Sequence, residues 1–287
     1  MTIEQKRISP LISPDELLEL EKAEKIILID ARAGADAKNK YTQLHLAKAL
    51  FVDLEHQLAS KKENAANGGR HPLPEIKQFI KVVNELGISP ESHVVVYDEK
   101  NGSNAAARFW WMMKSIGHKN IQVLDGGFLK AAEAGYPVSS AIENTVTVYT
   151  YKTEQWLLPL ADMQEVKAAS INNDKLIIDV RDEERFNGET EPIDLIAGHI
   201  PNAFNIPFTT NLNSEGFFVS PDELKRKYLS AFNGKPSTEI IIHCGSGVTA
   251  CHTLLAIDYA GLEIPNLFVG SWSEWSRNNL PMIVKSK

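Results

Sequence analysis

The sequence predicts an α/β fold made of two tandem copies of one domain, each a mainly parallel sheet flanked by helices. Three observations carry this: 287 residues suit about two domains of ordinary size, short β-branched apolar runs alternate with longer helix-like segments, and the chain repeats itself in order. The first helix is announced by Ser13-Pro14-Asp15-Glu16, with a capping serine, proline at the first helical position and glutamate at the third. The run I-L-I-D-A-R at 27–32 reads as a buried strand and returns as L-I-I-D-V-R at 176–181. H-L-A-K-A at 45–49 returns as H-I-P-N-A at 199–203, and V-V-V-Y-D ending at Asp98 returns as I-I-I-H-C ending at Cys244. Gly117 pairs with Gly261, and L-D-G-G at 124–127 with F-V-G-S at 268–271. A second helix start of the first kind stands at Ser220-Pro221-Asp222-Glu223. Trp110, Trp111, Trp272 and Trp275 read as packing residues. The expected organisation is a first domain at 1–140, a linker at 141–158 where Ser, Thr and aromatic residues mix without helical period, and a second domain at 159–287.

Composition narrows the function classes. With 43% hydrophobic and 23% charged residues the chain is globular rather than disordered or collagen-like. Thirty Lys+Arg against 37 Asp+Glu leave a formal charge of -7, so no general basic field exists to draw in nucleic acid or anionic lipid. The opening M-T-I-E-Q-K-R lacks the apolar core of a secretory signal, and no apolar run approaches the roughly 18 to 20 residues that cross a bilayer. A cytoplasmic protein with no membrane partner is the expectation. The two cysteines, Cys244 and Cys251, would lie about 10 Å apart on one helix, beyond the roughly 7 Å Cα limit for a disulfide, and read as free thiols.

The sharpest local feature is E-I-I-I-H-C-G-S-G-V-T-A-C-H-T-L-L-A at 239–256, a strand running into Cys244, two glycines and a helical apolar pattern. Ligands of open α/β sheets bind outside the carboxyl ends of strands, and Gly245 and Gly247 permit the curvature that turns successive N–H groups inward. A thiolate there gains from the helix N-terminus and the loop amides, which should lower a thiol pKa of about 8.5 toward neutrality. Cys244 is therefore the expected nucleophile, while Cys251, inside the helical pattern, reads as a small buried hydrophobe. His243, Cys244, Cys251 and His252 lack the paired spacing of a metal site. A phosphatase would need an arginine after five intervening residues to clamp the phosphoryl oxygens; the loop is uncharged there, so transfer of sulfur itself ranks above phosphoryl transfer.

At these residues the chain resembles the tandem-domain rhodanese superfamily over nearly its whole length. C-G-S-G-V-T at 244–249 is similar to the loop of its 3-mercaptopyruvate sulfurtransferase members, whereas thiosulfate sulfurtransferases typically carry C-R-K-G-V-T. Further matches are G-G-R-H-P-L-P at 68–74, D-V-R-D-E-E-R-F at 179–186, G-H-I-P at 198–201 and G-S-W-S-E-W at 270–275. The resemblance implies that Cys244 takes sulfur from a small-molecule donor as a persulfide and passes it to cyanide, a thiol or a thioredoxin-type acceptor, with pyruvate released and no metal or organic cofactor. Gly245, Ser246, Gly247, Val248 and Thr249 would bind the substrate and the persulfide charge. It places a carboxylate-binding arginine at Arg185; the second arginine usual in the family is missing from E-T-E-P-I-D at 189–194, leaving Arg70 or Arg181 to compensate. Arg181 suits better a structural pair with acidic neighbours, as Arg32 does in the first half. A proton relay maps onto Ser246, His71 and Glu55, with Asp53 as the alternative carboxylate and His71 expected to titrate near neutrality. Asp98 stands where Cys244 stands, so the first domain is expected to be inert and to wall the cleft. Thiosulfate as donor, or a non-enzymatic persulfide carrier, are the alternatives.

Overall fold

The computed structural model of the chain describes residues 8–143 and 151–284, so residues 144–150 of the expected linker lie outside the described residues. The first half holds a five-stranded parallel sheet in the order Leu11–Ile12, Ile121–Leu124, His93–Tyr97, Ile26–Arg32, Leu50–Asp53. The second holds a four-stranded parallel sheet in the order Asn266–Leu267, Ile240–His243, Leu176–Asp179, Ala203–Asn205, and Leu160 bridges Leu267 where the extra edge strand of the first sheet lies. His45–Leu46 pairs antiparallel with Val138–Ser139, and His199 bridges Ile283 in the same sense. Parallel strands covered on both faces must be apolar throughout, which is why Val94, Val95 and Val96, like Ile240, Ile241 and Ile242, are fully buried.

The repeat extends to side-chain geometry. Arg32 forks onto Asp30 and donates to Leu44 O at 2.7 Å, as Arg181 forks onto Asp179 and donates to Gly198 O at 2.7 Å. His45 Nδ1 bonds Tyr41 O and stacks on the Tyr41 ring, as His199 Nδ1 bonds Phe186 O and stacks on Phe186. These buried pairs join the end of one strand to the loop that enters the next, where an unpaired charge would cost several kcal/mol. Both helix starts read from the sequence are present. Ser13 caps Pro14–Ala23 in a reciprocal box with Glu16, and Ser220 Oγ accepts from Glu223 N–H at the head of Pro221–Phe232.

Two helices meet at the centre, Ala105–Ser115 from the first half and Thr249–Tyr259 from the second, each following a strand that leads into Asp98 or Cys244. Both are buried almost all round, the signature of helices enclosed in a core. Small residues, Ala105, Ala106 and Ala107 on one and Ala250 and Cys251 on the other, let the core close between the halves, and one continuous apolar cluster runs through both. Trp110, Trp111, Trp272 and Trp275 are fully buried within cores, with Trp272 also lying under the Arg181 guanidinium at 4.7 Å. Truncating such a tryptophan to alanine costs roughly 3 to 5 kcal/mol. Among the described residues no helix is long and apolar enough to cross a membrane.

Candidate active site

Strand Ile240–His243 delivers Cys244 to the carboxyl edge of its sheet, and helix Thr249–Tyr259 starts after four further loop residues. The reversal uses Gly247 at φ 73°, where a Cβ would also stand 2.5 Å from Val269 O, so conformation and space both demand glycine. The segment 271–273 anchors the loop from outside. Ser271 Oγ accepts from Cys244 N–H at 3.1 Å, while the carbonyls of Cys244 and Gly245 accept from the N–H groups of Trp272 and Ser273 at 3.0 and 2.8 Å. Among the described residues the amides of Gly245, Ser246, Gly247, Val248 and Thr249 have no protein acceptor, which leaves an electropositive cradle beside Cys244 at a helix N-terminus. In the first half the corresponding loop is filled from within. Asp98 Oδ1 accepts from the N–H groups of Lys100 and Gly102 and Oδ2 from those of Asn104 and Ala106, at 2.8 to 3.2 Å.

Cys244, 1% exposed, forms part of the floor of a cavity of about 280 Å³ walled by both halves. Arg70 and His71 come from the first half, and Arg185 and Ile193 from the second; Gly245, Ser246, Val248 and Thr249 complete the loop side. Gly247 does not line the cavity, because its left-handed backbone sends its carbonyl to the rear of the loop, where Arg108 holds it at 3.2 Å. Cys251 stands behind the loop, fully buried, its thiol donating to Gly247 O at 3.3 Å; burial pushes its pKa up to about 12, so it stays a neutral packing residue. Both cysteines are free.

The three relay candidates come together although they lie far apart in sequence. Ser246 Oγ lies 2.7 Å from His71 Nδ1, and His71 Nε2 lies 3.4 Å from Glu55 Oε2. Glu55 also pairs with Lys61. Asp53 stands elsewhere, accepting from Glu55 N–H and pairing with His56, so Glu55 and not Asp53 faces His71. The expected near-neutral titration of His71 is corrected: burial pushes its pKa down to about 4 against the opposing pull of Glu55. A neutral ring with its Nε2–H toward Glu55 leaves Nδ1 to accept from the Ser246 hydroxyl. Glu55 in turn is held below the usual carboxylate range, because Lys61 and His71 outweigh the burial that would raise it.

Arg185 pairs with neither Glu183 nor Glu184. Its Nε and Nη2 meet Glu191, and Nη2 also reaches Asp194 at 3.2 Å. Asp194, with a fully buried side chain, is the hub of the site. It accepts from Arg70 Nε at 2.9 Å and Nη2 at 3.3 Å, from Arg185, and from Arg277 Nη1 at 3.2 Å. A Cβ on Gly245 would stand 3.0 Å from Arg70 Nη2 and 3.4 Å from both Arg185 Nη2 and Asp194 Oδ2, so the two guanidiniums converge on the residue next to Cys244. Nη1 of Arg70 and Nη1 of Arg185 have no protein partner among the described residues. Arg181 is spent on Asp179 and Glu191 and does not line the cavity. Of the two arginines that could compensate for the missing one, Arg70 is the one at the site.

The hub at Asp194 is the site residue that sequence reasoning missed. The signal for it in E-T-E-P-I-D at 189–194 is two carboxylates three residues apart, near an arginine that a ligand would need. Arg108 was missed because A-A-A-R-F-W-W-M-M reads as core packing.

A rhodanese-like domain model matches residues 13–134 and again residues 162–278. The chain is 35% identical over 271 residues to a "probable 3-mercaptopyruvate sulfurtransferase" of Pseudomonas aeruginosa, covering 94% of this chain and 93% of that one. It is 33% identical over 252 residues to the thiosulfate sulfurtransferase of Mus musculus, covering 85% and 82%. Among solved structures, that of SseA from Escherichia coli, described with the rhodanese fold of 3-mercaptopyruvate sulfotransferases, superposes with a TM-score of 0.76 at 30% identity, covering 93% of this chain and all of that one.

Proposed function

The chain belongs to the rhodanese-like domain family, whose domain it carries twice, and from that premise we propose that it transfers sulfur from 3-mercaptopyruvate through a persulfide on Cys244 to cyanide, a small thiol or a thioredoxin-type protein. The observation that carries this reading is the convergence of Arg70 and Arg185 on Gly245, each with Nη1 open, beside a cysteine on the cavity floor. A planar carboxylate within reach of two guanidiniums is bound as a charge-assisted pair, and a 2-oxo acid carrying its thiol one carbon beyond the ketone then presents sulfur to Cys244. A carrier that takes sulfur only from a partner protein has no use for such a carboxylate subsite.

In this reading the Cys244 thiolate attacks the donor sulfur, an S–S bond forms, and the C–S bond breaks with its electron pair left on carbon as the enolate of pyruvate. The thiol proton of the donor goes to that carbon, so the products are pyruvate and the Cys244 persulfide anion. Ser246, polarised by neutral His71 with Glu55 behind it, lies where it can hold and pass that proton. The amides of residues 245–249 take the persulfide charge without reorganisation, much as the amides of Lys100, Gly102, Asn104 and Ala106 in the first domain take the carboxylate of Asp98. An acceptor thiolate then attacks the outer sulfur and returns the Cys244 thiolate. The first domain, with a carboxylate at the nucleophile position, forms no persulfide and serves as the opposite wall.

The test is kcat/KM for transfer to cyanide from 3-mercaptopyruvate and from thiosulfate, side by side, with Cys244→Ser as control. Preference for mercaptopyruvate supports the assignment. Preference for thiosulfate makes the arginine pair an oxyanion site for that donor, and turnover of neither returns the reading to a carrier.

A further inference from the structure

Arg108 is a fully buried arginine with no carboxylate in ion-pair reach among the described residues. The other two buried arginines, Arg32 and Arg181, each fork onto an aspartate. Arg108 instead rises from helix Ala105–Ser115 of the first domain and meets only neutral groups, three carbonyls and the Cys251 thiol. Nη1 reaches Gly247 O at 3.2 Å, and Nη2 reaches His71 O at 3.0 Å and Leu58 O at 3.4 Å, while Nε has no partner. A guanidinium cannot shed its proton, so a buried one without an anion is a cost the fold must offset. The titratable groups acting on it are the thiols of Cys251 and Cys244, and Cys251 is held neutral by burial.

The pseudo-symmetry of the molecule sharpens the point. His252, from helix Thr249–Tyr259, bonds Gly102 O of the first-domain loop, as Arg108 bonds Gly247 O of the second-domain loop. Gly102 and Gly247 share the left-handed turn, at φ 71° and 73°. Behind the loop whose acceptor is Asp98 stands an imidazole that burial keeps neutral, with its pKa pushed to about 4. A permanent cation stands behind the loop that carries Cys244.

We infer that Arg108 is a positioning residue for the second-domain loop, a buried counter-charge that the first domain lends to the thiolate and persulfide of Cys244. It acts in two ways. Its field supplies the cation that the uncharged loop lacks. Its hold on the Gly247 carbonyl also fixes a peptide plane in which N–H and C=O point oppositely, so the Val248 N–H is turned away from Arg108, toward the cavity side of the loop. Its bond to His71 O places the relay ring by the same anchor. The inference rests on Cys244 being the nucleophile.

The test reads the pH dependence of Cys244 alkylation by iodoacetamide, located by peptide mass spectrometry, in the wild type, Arg108→Gln and Arg108→Lys. The other charged or titratable groups around Cys244 are Glu55, Arg70, His71 and Lys100 from the first domain, Arg185, Asp194 and His243 from the second, and Cys251 behind the loop. None is altered by these variants. The expected result is an alkylation midpoint raised by about one pH unit or more in Arg108→Gln and largely restored in Arg108→Lys, with the donor KM little changed. A midpoint that does not move in Arg108→Gln overturns the inference, whatever happens to thermal stability. A wild-type midpoint at the ordinary value for a free thiol would instead overturn the nucleophile reading itself. Should Arg108→Gln fail to fold, thermal midpoints of Cys244→Ser and Cys244→Asp decide. A fixed anion at position 244 should leave the protein the more stable of the two, and equal midpoints overturn the inference.

Discussion

Ser246 Oγ and His71 Nδ1 stand 2.7 Å apart across the seam between the domains, although 175 residues separate them in the chain. That bond ties the second-domain loop to a side chain of the first domain, and the proposed proton relay runs through it. His71→Ala and Ser246→Ala should lower kcat with 3-mercaptopyruvate more than with thiosulfate, because thiosulfate releases sulfite and leaves no carbanion to protonate. Steady-state kinetics with both donors check this, and equal losses would remove the relay from the mechanism.

Cys244→Ser should abolish the persulfide, whereas Cys251→Ser should keep it, since Cys251 is buried behind the loop and its pKa is pushed up to about 12. Intact-protein mass after incubation with donor shows the added sulfur or its absence. A surviving adduct in Cys244→Ser would reassign the nucleophile.

Arg185→Ala and Arg70→Ala should each raise the KM for 3-mercaptopyruvate roughly ten- to a hundredfold, the loss of a charge-assisted pair worth about 1.5 to 3 kcal/mol. Asp194→Asn should raise KM as well, because the two guanidiniums lose the carboxylate that aims them at Gly245. An unchanged KM in all three would put the donor carboxylate elsewhere.

Asp98→Asn should destabilise the protein by about 1 to 3 kcal/mol without touching the donor KM. The carboxylate accepts four amide N–H groups, and a carboxamide would turn its own NH2 toward two of them. Urea denaturation measures the loss.

Burial pushes the pKa of each of His71, His118 and His252 from 6.5 down to about 4. Between those values the unfolded chain takes up protons that the folded protein refuses, so stability is full above about pH 6.5 and falls as pH drops toward 4. Each ring contributes up to about 3 kcal/mol to that decline. Thermal midpoints recorded across this range should fall steadily, and His252→Gln should flatten the slope.

The duplication and the strand-to-helix loop with its cysteine were legible because they are local: apolar runs, two glycines and a cysteine lie within a few residues of one another. The choice between Glu55 and Asp53 was not, since both sit in one turn and only the course of residues 53–58 decides which carboxylate meets His71. Nor could the titration of His71 be read, because its burial comes from the facing domain. Asp194 lies in an irregular segment with no periodicity, and its meaning depends on Arg70, 124 residues away. Arg108 reads as one polar residue in a core helix until the glycine carbonyl it touches on the other domain is known.

The seam has a thermodynamic consequence. Gly69 meets Gly270 so closely that a Cβ on Gly69 would stand 2.4 Å from the Gly270 carbonyl oxygen, and Gly68 and Arg70 on either side donate to Glu274 and Ser273. Beneath this contact one apolar cluster runs through both halves. Separating them would strand the face of helix Thr249–Tyr259 in water and take from Arg108 its bond to the Gly247 carbonyl. The two copies are therefore separate in sequence but not in stability: on heating they should melt as one cooperative unit, and neither half excised from the other would keep the chemistry or the fold that the intact pair sustains.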